Sequence, residues 1–586
     1  MEFRKVWVLR GANRWIHFPA LEVEVFLHDP ETASTSDLPG FGEQLAALTG
    51  LRRREAGQPP KRGTSGGGRA GPTAGALDPQ PDGHGTGEVF LQQLERGTSL
   101  AHVLQHLTLL LQLRAGSDVA FGTAQAVQPP TFYRVVVEYE EELLAHACLE
   151  AARDLCLAAL HGGSFDAEAR TRALCELAYD VRLGPSTGAI VRAARERNIP
   201  THRLNEGSLV QLGQGVQQRR ILTAETDRTG AIAEAIAQDK ELTRKLLRVV
   251  GVPVPDGRPV KDAEDAWEAA QDVGVPVVVK PQFGNHGRGV ATNLMTREQV
   301  LQAHDVAKRE GSSVIVETFI PGEDHRLLVV GDRLVAAARR EPAQVIGDGQ
   351  STVRQLIDEV NKDPRRSDGH ATVLSIIKLD SVALGVLQEQ GYTPDSVPAD
   401  GQRVLIRRNG NLSTGGTATD VTDEVHPEVA ARVVEAARVV GLDIAGVDVV
   451  ATDLSRPLEG QHGAVVEVNA GPGLRMHLQP SAGKPRAVGE AIVEMLYPNG
   501  HTGRVPVVAV TGVNGKTTTT WLIAHLLRWA GKVVGMTCTD GAYVGGRQID
   551  PHDCSGPRSA RAVLLNPRVE AAVLETARGG ILREGL

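Results

Sequence analysis

Two lysines, two glutamates and an acid–amide pair follow one another along the middle of this chain in an order that could activate a carboxylate. Lys240 opens the helix-like stretch DKELTRKLLRVVGVPVP, and Lys280 closes the strand-like run PVVVK. A loop bearing Gly284, Gly287 and Gly289 comes next. Glycines let backbone N–H groups close on phosphates, and a lysine at the strand end neutralises them. Glu317 and Glu323 follow a strand in VIVETFIPGEDHR, where adenine and ribose could be held. Glu467 and Asn469 stand two apart on VEVNAGPG, so their side chains share a strand face. A carboxylate beside an amide oxygen suits a hard cation such as Mg2+. Asp448 lies in the apolar run GVDVV, where a carboxylate is costly unless paired or metal-bound. Asp448 or Glu467 alone reads as an ordinary polar strand end; the ordered set points to ATP and Mg2+.

The chemistry asks for these residue types. A free carboxylate repels an attacking amine. Transfer of the ATP γ-phosphoryl group gives an acyl phosphate, which the amine displaces as an amide. Catalysis then rests on positioning and charge neutralisation.

A second phosphate-gripping loop lies in TGVNGKTTTT (Thr511–Thr520). The run VPVVAV (Val505–Val510) reads as a buried strand before it, and a helix follows from about Thr517. Gly512, Asn514, Gly515, Lys516, Thr517 and Thr518 form the expected nucleotide contact. Lys516 would reach the β- and γ-phosphates and Thr517 the Mg2+. The general Walker spacing puts Val510 where its first glycine falls, so the pattern is a variant.

With these motifs in place, the chain resembles the ATP-grasp superfamily. Within it, KPQFGNHGRGV, PAQVIGDGQ, NLSTGGTATDVTDEVHP and VEVNAGPGLRMHLQPSAGKPR resemble the cyanophycin synthetase family, and the likeness runs from Met1 to Leu586. That family makes a polymer with a poly-aspartate backbone and arginine on each side chain. The resemblance implies that Lys240 and Lys280 hold phosphates and that His286, Gly287 and Gly289 belong to the loop closing over them. It implies that Glu317 and Glu323 hold adenosine, and that Asp448, Glu467 and Asn469 hold Mg2+. His325 and Arg326 are expected on a strand facing the reacting centre, with Arg326 stabilising charge on the acyl phosphate. Ser413, Gly415, Gly416 and Arg475 are candidates for the polymer's terminal carboxylate; a plain turn and a solvated arginine compete with that reading. The glycine loop matches the Mur-ligase form, and Glu575 in LETARGG stands where Mur-like ligases place a metal-binding glutamate. In the family that domain adds arginine to the aspartate side chain.

The resemblance also implies cyanophycin primer or polymer, aspartate and arginine as partners, and a homo-oligomer, by resemblance a tetramer. A complete Mur-like domain is larger than the segment before Leu586, so the second site is expected to be inactive here or the sequence to be a piece of a longer protein. Alternatives stay open: a cyanophycin synthetase 2-like enzyme polymerising aspartyl-arginine dipeptide, a glutathione-synthetase-like small-molecule ligase, and a non-catalytic scaffold. Many relatives carry H-x-x-E-H on an N-terminal helix. Here HVLQH puts Gln105 between His102 and His106, and Leu110 where a further acid is expected. Glutamine cannot accept a proton from water. No peptidase activity is expected, and the domain is expected to anchor the nascent polymer.

The elements that must position these residues follow from composition and pattern. The chain has 586 residues, 41% apolar and 23% charged, with net charge −8 and 64 glycines. That fits several α/β and α+β domains and gives no global field for nucleic acid. Five cysteines without a C-x-x-C pair, no signal-like start and no membrane-length apolar run point to a cytoplasmic protein with no membrane partner. The expected order is an N-terminal α/β domain over 1–165, with a flexible Gly/Pro-rich insertion at 57–87. An ATP-grasp domain follows over 166–497, then the start of a P-loop, Mur-ligase-like parallel-sheet domain over 503–586. Repeated strand–helix units are expected at Pro276–Pro281, Ser313–Ile320, His325–Arg340, Ile444–Thr452 and Gly463–Gly473.

Overall fold

The computed structural model describes residues 1–49, 85–283, 289–363, 365–367 and 374–584. They form two compact units, one of Met1–Arg182, Gln214–Val216 and Val505–Leu586, the other of Leu183–Gly213 and Gln217–Arg504.

In the first unit, Leu21, Val23 and Val25 alternate along Ala20–Phe26 and Val135 and Val137 along Phe132–Glu138. All five are fully buried against apolar residues of the helices Leu100–Arg114 and Glu142–His161. These strands sit inside an antiparallel sheet ordered Glu2–Leu9, Ala20–Phe26, Phe132–Glu138, Gly122–Gln128. HGGSF separates two helices of this unit. Gly162, at φ 70, ends one helix with a left-handed cap. The next helix, Ala167–Val181, buries Leu174 and Ala178 in the same core, and the compact unit includes the chain as far as Arg182. Most of the expected 57–87 insertion lies outside the described residues, and its last three residues begin the helix Gly85–Arg96.

The C-terminal part of this unit is a five-stranded sheet ordered Val507–Val510, Ala571–Glu575, Val534–Cys538, Gly541–Val544, Arg547–Asp550. The first three strands run parallel and the rest antiparallel. The expectation of a buried strand before the glycine loop needs correction. Val507 and Val508 are 43% and 37% exposed, because their strand is an edge strand paired on one side only. The interior strands Val534–Cys538 and Ala571–Glu575 carry the burial instead.

Two sheets of the second unit carry the candidate site. One is ordered Ala291–Leu294, Val277–Pro281, Val314–Thr318, Gly257–Val260 and is packed by the helices Ala263–Val273 and Arg297–Glu310. The other is ordered Thr417–Asp420, Arg333–Glu341, Glu323–Val330, Ile444–Ala451, Ala464–Asn469, with Pro427–Val440 against it. His325–Arg340 is therefore not a strand followed by a helix. It forms two strands of a hairpin, turning at Gly331 with φ 58. Alanine's helix propensity yields here because Ala336, Ala337 and Ala338 are fully enclosed in the sheet. Among the described residues no helix is long and apolar enough to cross a membrane.

Candidate active site

Lys240 is the first residue of the helix Lys240–Val249, capped by Asp239, whose side chain accepts from the N–H groups of Glu241 and Leu242. The nearby Gln282, at the end of the strand bearing Lys280, donates to the same Asp239 carboxylate at 2.9 Å. A cation at a helix N-terminus opposes the helix dipole, but the two fields add for an anion that lies off the helix end. Lys280 and Glu317 lie on neighbouring antiparallel strands, paired Val278 to Glu317 and Lys280 to Ile315. Both side chains therefore leave the same sheet face, and Lys280 Nζ sits 2.5 Å from Glu317 Oε1. Lys240 Nζ sits 3.1 Å from Glu467 Oε1. All four residues line one cavity, with Arg244 among them and Ala237, Leu247 and Val254 supplying apolar wall.

Glu467 leads to the second cluster by register. Asp448 pairs directly with Glu467 on one side and with Arg326 on the other, while Gly446 pairs with Asn469. Asp448 and Glu467 thus share a face, which sequence spacing alone does not reveal. Arg326 grips Asp448 with Nε and Nη2, the latter at 3.1 Å, and Arg340 Nη2 reaches Asp448 at 3.1 Å and Asp324 at 2.6 Å. Burial would raise the Asp448 pKa, but Arg326 and Arg340 outweigh it and hold the carboxyl below its usual range. Burial wins at Asp324, which stays raised despite Arg340. Gly446 makes room for this grip: a Cβ there would stand 3.0 Å from Arg326 Nη1 and 2.7 Å from Pro472 Cβ.

Two expected residues do not join the centre. His325 precedes Arg326 on the same strand, and consecutive strand residues point to opposite faces. His325 is buried on the other face, across from Arg339 in the register, and burial lowers its pKa. Glu323 lies on that face as well, exposed and paired with Arg339 at 3.4 Å, and it does not line the cavity. His286 and Gly287 lie outside the described residues, whereas Gly289 adopts φ 70 at the end of that loop.

Ser413, Gly415 and Gly416 form a tight turn. Ser413 donates to Asn411 Oδ1 at 3.0 Å, and Gly415 has φ 96. Leu412 of this turn packs with Ala338, Ala418 and Met476, beside Arg475 in sequence. A Cβ at Gly415 would meet Ile377 Cγ1 at 2.7 Å, so packing alone demands this glycine. Gly415→Ala should destabilise the protein by about 1–3 kcal/mol, read as a lower midpoint in urea unfolding. Arg475 is half-buried, and its Nη2 is buried without a hydrogen-bond partner; burial lowers its pKa.

His477, on the same short helix, is buried with neither ring nitrogen hydrogen-bonded. Burial, reinforced by Arg326, lowers its pKa to about 3. The unfolded chain binds that proton near pH 6.5, so stability should fall as the pH drops from 6.5 towards 3. One such proton contributes at most about 1.4 kcal/mol per pH unit, and His477→Leu should remove that share from the difference between urea unfolding at pH 7 and pH 5.

The second loop joins the strand Val507–Val510 to the helix Lys516–Trp529. Gly515 caps the helix Lys516–Trp529 at φ 76, and Gly512 has φ 156. Lys516 and Thr517 are half-buried in the first turn, with Asn514 and Thr518 exposed beside them. Parallel pairing sets Val510 next to Glu575. Glu575 then accepts from Thr517 Oγ1 at 2.9 Å and from Thr539 Oγ1 at 3.1 Å. In the N-terminal helix, His102 bonds its own cap, Ser99, at 2.9 Å, while His106 stacks on Phe90 at 4.2 Å. Gln105 is buried against Gly122.

Family models match three separate stretches of the chain. Residues 76–161 match the cyanophycin synthase-like N-terminal domain, 239–379 the ATP-binding domain of the carbamoyl-phosphate synthase L chain, and 510–584 the Mur ligase middle domain. Cyanophycin synthetase of Nostoc sp. is 43% identical over 600 residues, covering 100% of this chain and 63% of the relative. That of Synechocystis sp. is 41% identical over 594 residues, covering 100% and 65%. The chain therefore spans somewhat under two thirds of the length of these curated relatives. The glutathione biosynthesis bifunctional protein GshAB of Clostridium perfringens is 34% identical over 46% of this chain and 35% of its own. Among solved structures, a bifunctional glutathione synthetase from Pasteurella multocida aligns at 31% identity and TM-score 0.43, covering 59% of this chain and 49% of that one.

Proposed function

We propose, with the chain's relationship to the cyanophycin synthetases as premise, that it is an ATP-dependent ligase that phosphorylates the carboxyl terminus of a cyanophycin primer and adds aspartate. The observation that carries this reading is the single cavity in which Lys240 and Lys280 meet Glu467 and Glu317. Its apolar wall suits an adenine and its lysines suit phosphates. The primer carboxylate attacks the γ-phosphorus and ADP leaves. The aspartate amine then attacks the acyl carbon, phosphate leaves, and the amine's surplus proton passes to solvent. Lys240 and Lys280 neutralise the phosphates through transfer, and Arg326 holds the charge that grows on the acyl oxygens. Arg475, with an unpaired guanidinium nitrogen, is the candidate to hold the terminal carboxylate.

Glu467 and the Asn469 amide oxygen offer donors that fit Mg2+, and Asp448 would join them where Arg326 or Arg340 yields one of its oxygens. Asn469 donates its Nδ2 to Gly446 O at 3.2 Å, which leaves its oxygen as the acceptor. Mg2+ held there would supply positive charge against the triphosphate. Around Lys516, Thr517 and Glu575 we infer a second nucleotide site, which in a protein of the relatives' full length adds arginine to the aspartate side chain. The hydroxyl and carboxylate 2.9 Å apart support a metal-assisted site there.

The test is incubation of the chain with ATP, Mg2+, aspartate and a short cyanophycin primer. ADP release with a gain of aspartyl mass on the primer is expected. ADP release that ignores primer and aspartate, with no peptide product, would overturn the reading.

A further inference from the structure

Arg244 is a buried cation that no motif singles out. It follows Lys240 by one helical turn and lines the same cavity. It is 5% exposed. Its Nη2 donates to Glu241, but Nε and Nη1 have no hydrogen-bond partner. Nη1 stands 3.8 Å from Glu317 Oε2, close enough for attraction and too far for a hydrogen bond. The other oxygen of Glu317 is held by Lys280 at 2.5 Å. One buried carboxylate thus faces two cations, one engaged and one in reserve.

A nucleotide changes this balance. Lys280 cannot give full strength to a phosphate and to Glu317 together. Once it turns to the phosphate, Glu317 stands 5% exposed with its main partner gone, and stranding one half of a buried pair is strongly destabilising. We propose that Arg244 is the reserve counter-charge of Glu317, a positioning residue that lets Lys280 leave the carboxylate and hold ATP. Its two unpartnered nitrogens, Nε and Nη1, are the donors this exchange needs, and closing to hydrogen-bond length takes a shift of about 1 Å. This role rests on the nucleotide-site reading above and gives that site a specificity it would otherwise lack. Affinity for the phosphates, and not for the nucleoside, depends on Arg244.

The experiment is calorimetric titration of the whole chain with Mg2+–ATP and, separately, with adenosine. Arg244→Gln should weaken ATP by about tenfold, the worth of one charge-assisted contact, and leave adenosine unchanged. Arg244→Lys, which keeps the charge, should retain most of the ATP affinity. Adding Glu317→Gln to Arg244→Gln should recover it, because no carboxylate then competes for Lys280. Equal losses for ATP and adenosine would mean a purely structural arginine, and failure of the double variant to recover would overturn the exchange. Removal of Lys280 separates the two readings. If Lys280→Met weakens ATP while Arg244→Gln does not, only this inference falls. If the unaltered chain binds no ATP, the site falls with it.

Discussion

Lys280→Met lowers primer-dependent ADP formation by about 10²–10³-fold, the usual consequence of deleting one charge-stabilising donor from a transfer site. The lysine acts twice in the proposed sequence. It compensates the triphosphate on binding and stabilises the charge that shifts towards the leaving ADP. Methionine keeps most of the unbranched stem, and Arg244 still faces Glu317 at 3.8 Å, so the cavity wall keeps its packing and one counter-charge. The thermal midpoint should therefore move far less than the rate. A coupled assay of ADP release, run beside a thermal melt, reads both quantities. Unchanged turnover in a folded variant would remove Lys280 from the site, and with it the assignment of this cavity to ATP.

The strands of this site were legible because their apolar runs are bounded by charged and glycine-rich stretches. VVVK, VIVET, GVDVV and VVEVN all became strands of the two sheets that carry the site. Register was not legible. Nothing in the sequence states that Asp448 pairs with Arg326 and Glu467, yet that pairing builds the charged centre. Arg340 and Asp324 were missed for the same reason, since each gains meaning only across the hairpin that sets them opposite one another. Alternation was available and tells against His325: a neighbour of Arg326 on a strand belongs to the other face. Arg244 carried a weaker signal, an arginine one turn after Lys240 on an amphipathic helix, where a solvated face is the ordinary outcome. In the C-terminal sheet the glycine loop and Glu575 could be read from motif, but the exposure of Val507 could not, because edge position depends on strand order.

Glu467→Gln should produce opposite effects on two forms of the same nucleotide. In the unaltered protein Glu467 holds Lys240 at 3.1 Å. A triphosphate without metal must break that pair and then sit beside the released carboxylate, so it meets both a lost attraction and a new repulsion. Glutamine removes the charge at nearly constant shape and lets Lys240 turn to the phosphate. Affinity for ATP in the presence of a chelator should rise about tenfold, or roughly 1.4 kcal/mol. Turnover with Mg2+ should fall by about 10²-fold or more, because one of the two carboxylates fitted to the metal has gone. Each half constrains the other. A variant that loses turnover without gaining chelator-resistant binding would show that Glu467 does not restrain Lys240. A variant that gains such binding while keeping its Mg2+-dependent rate would show that Glu467 does not hold the metal. Only the paired outcome fits a carboxylate that exchanges a lysine for Mg2+ when ATP arrives.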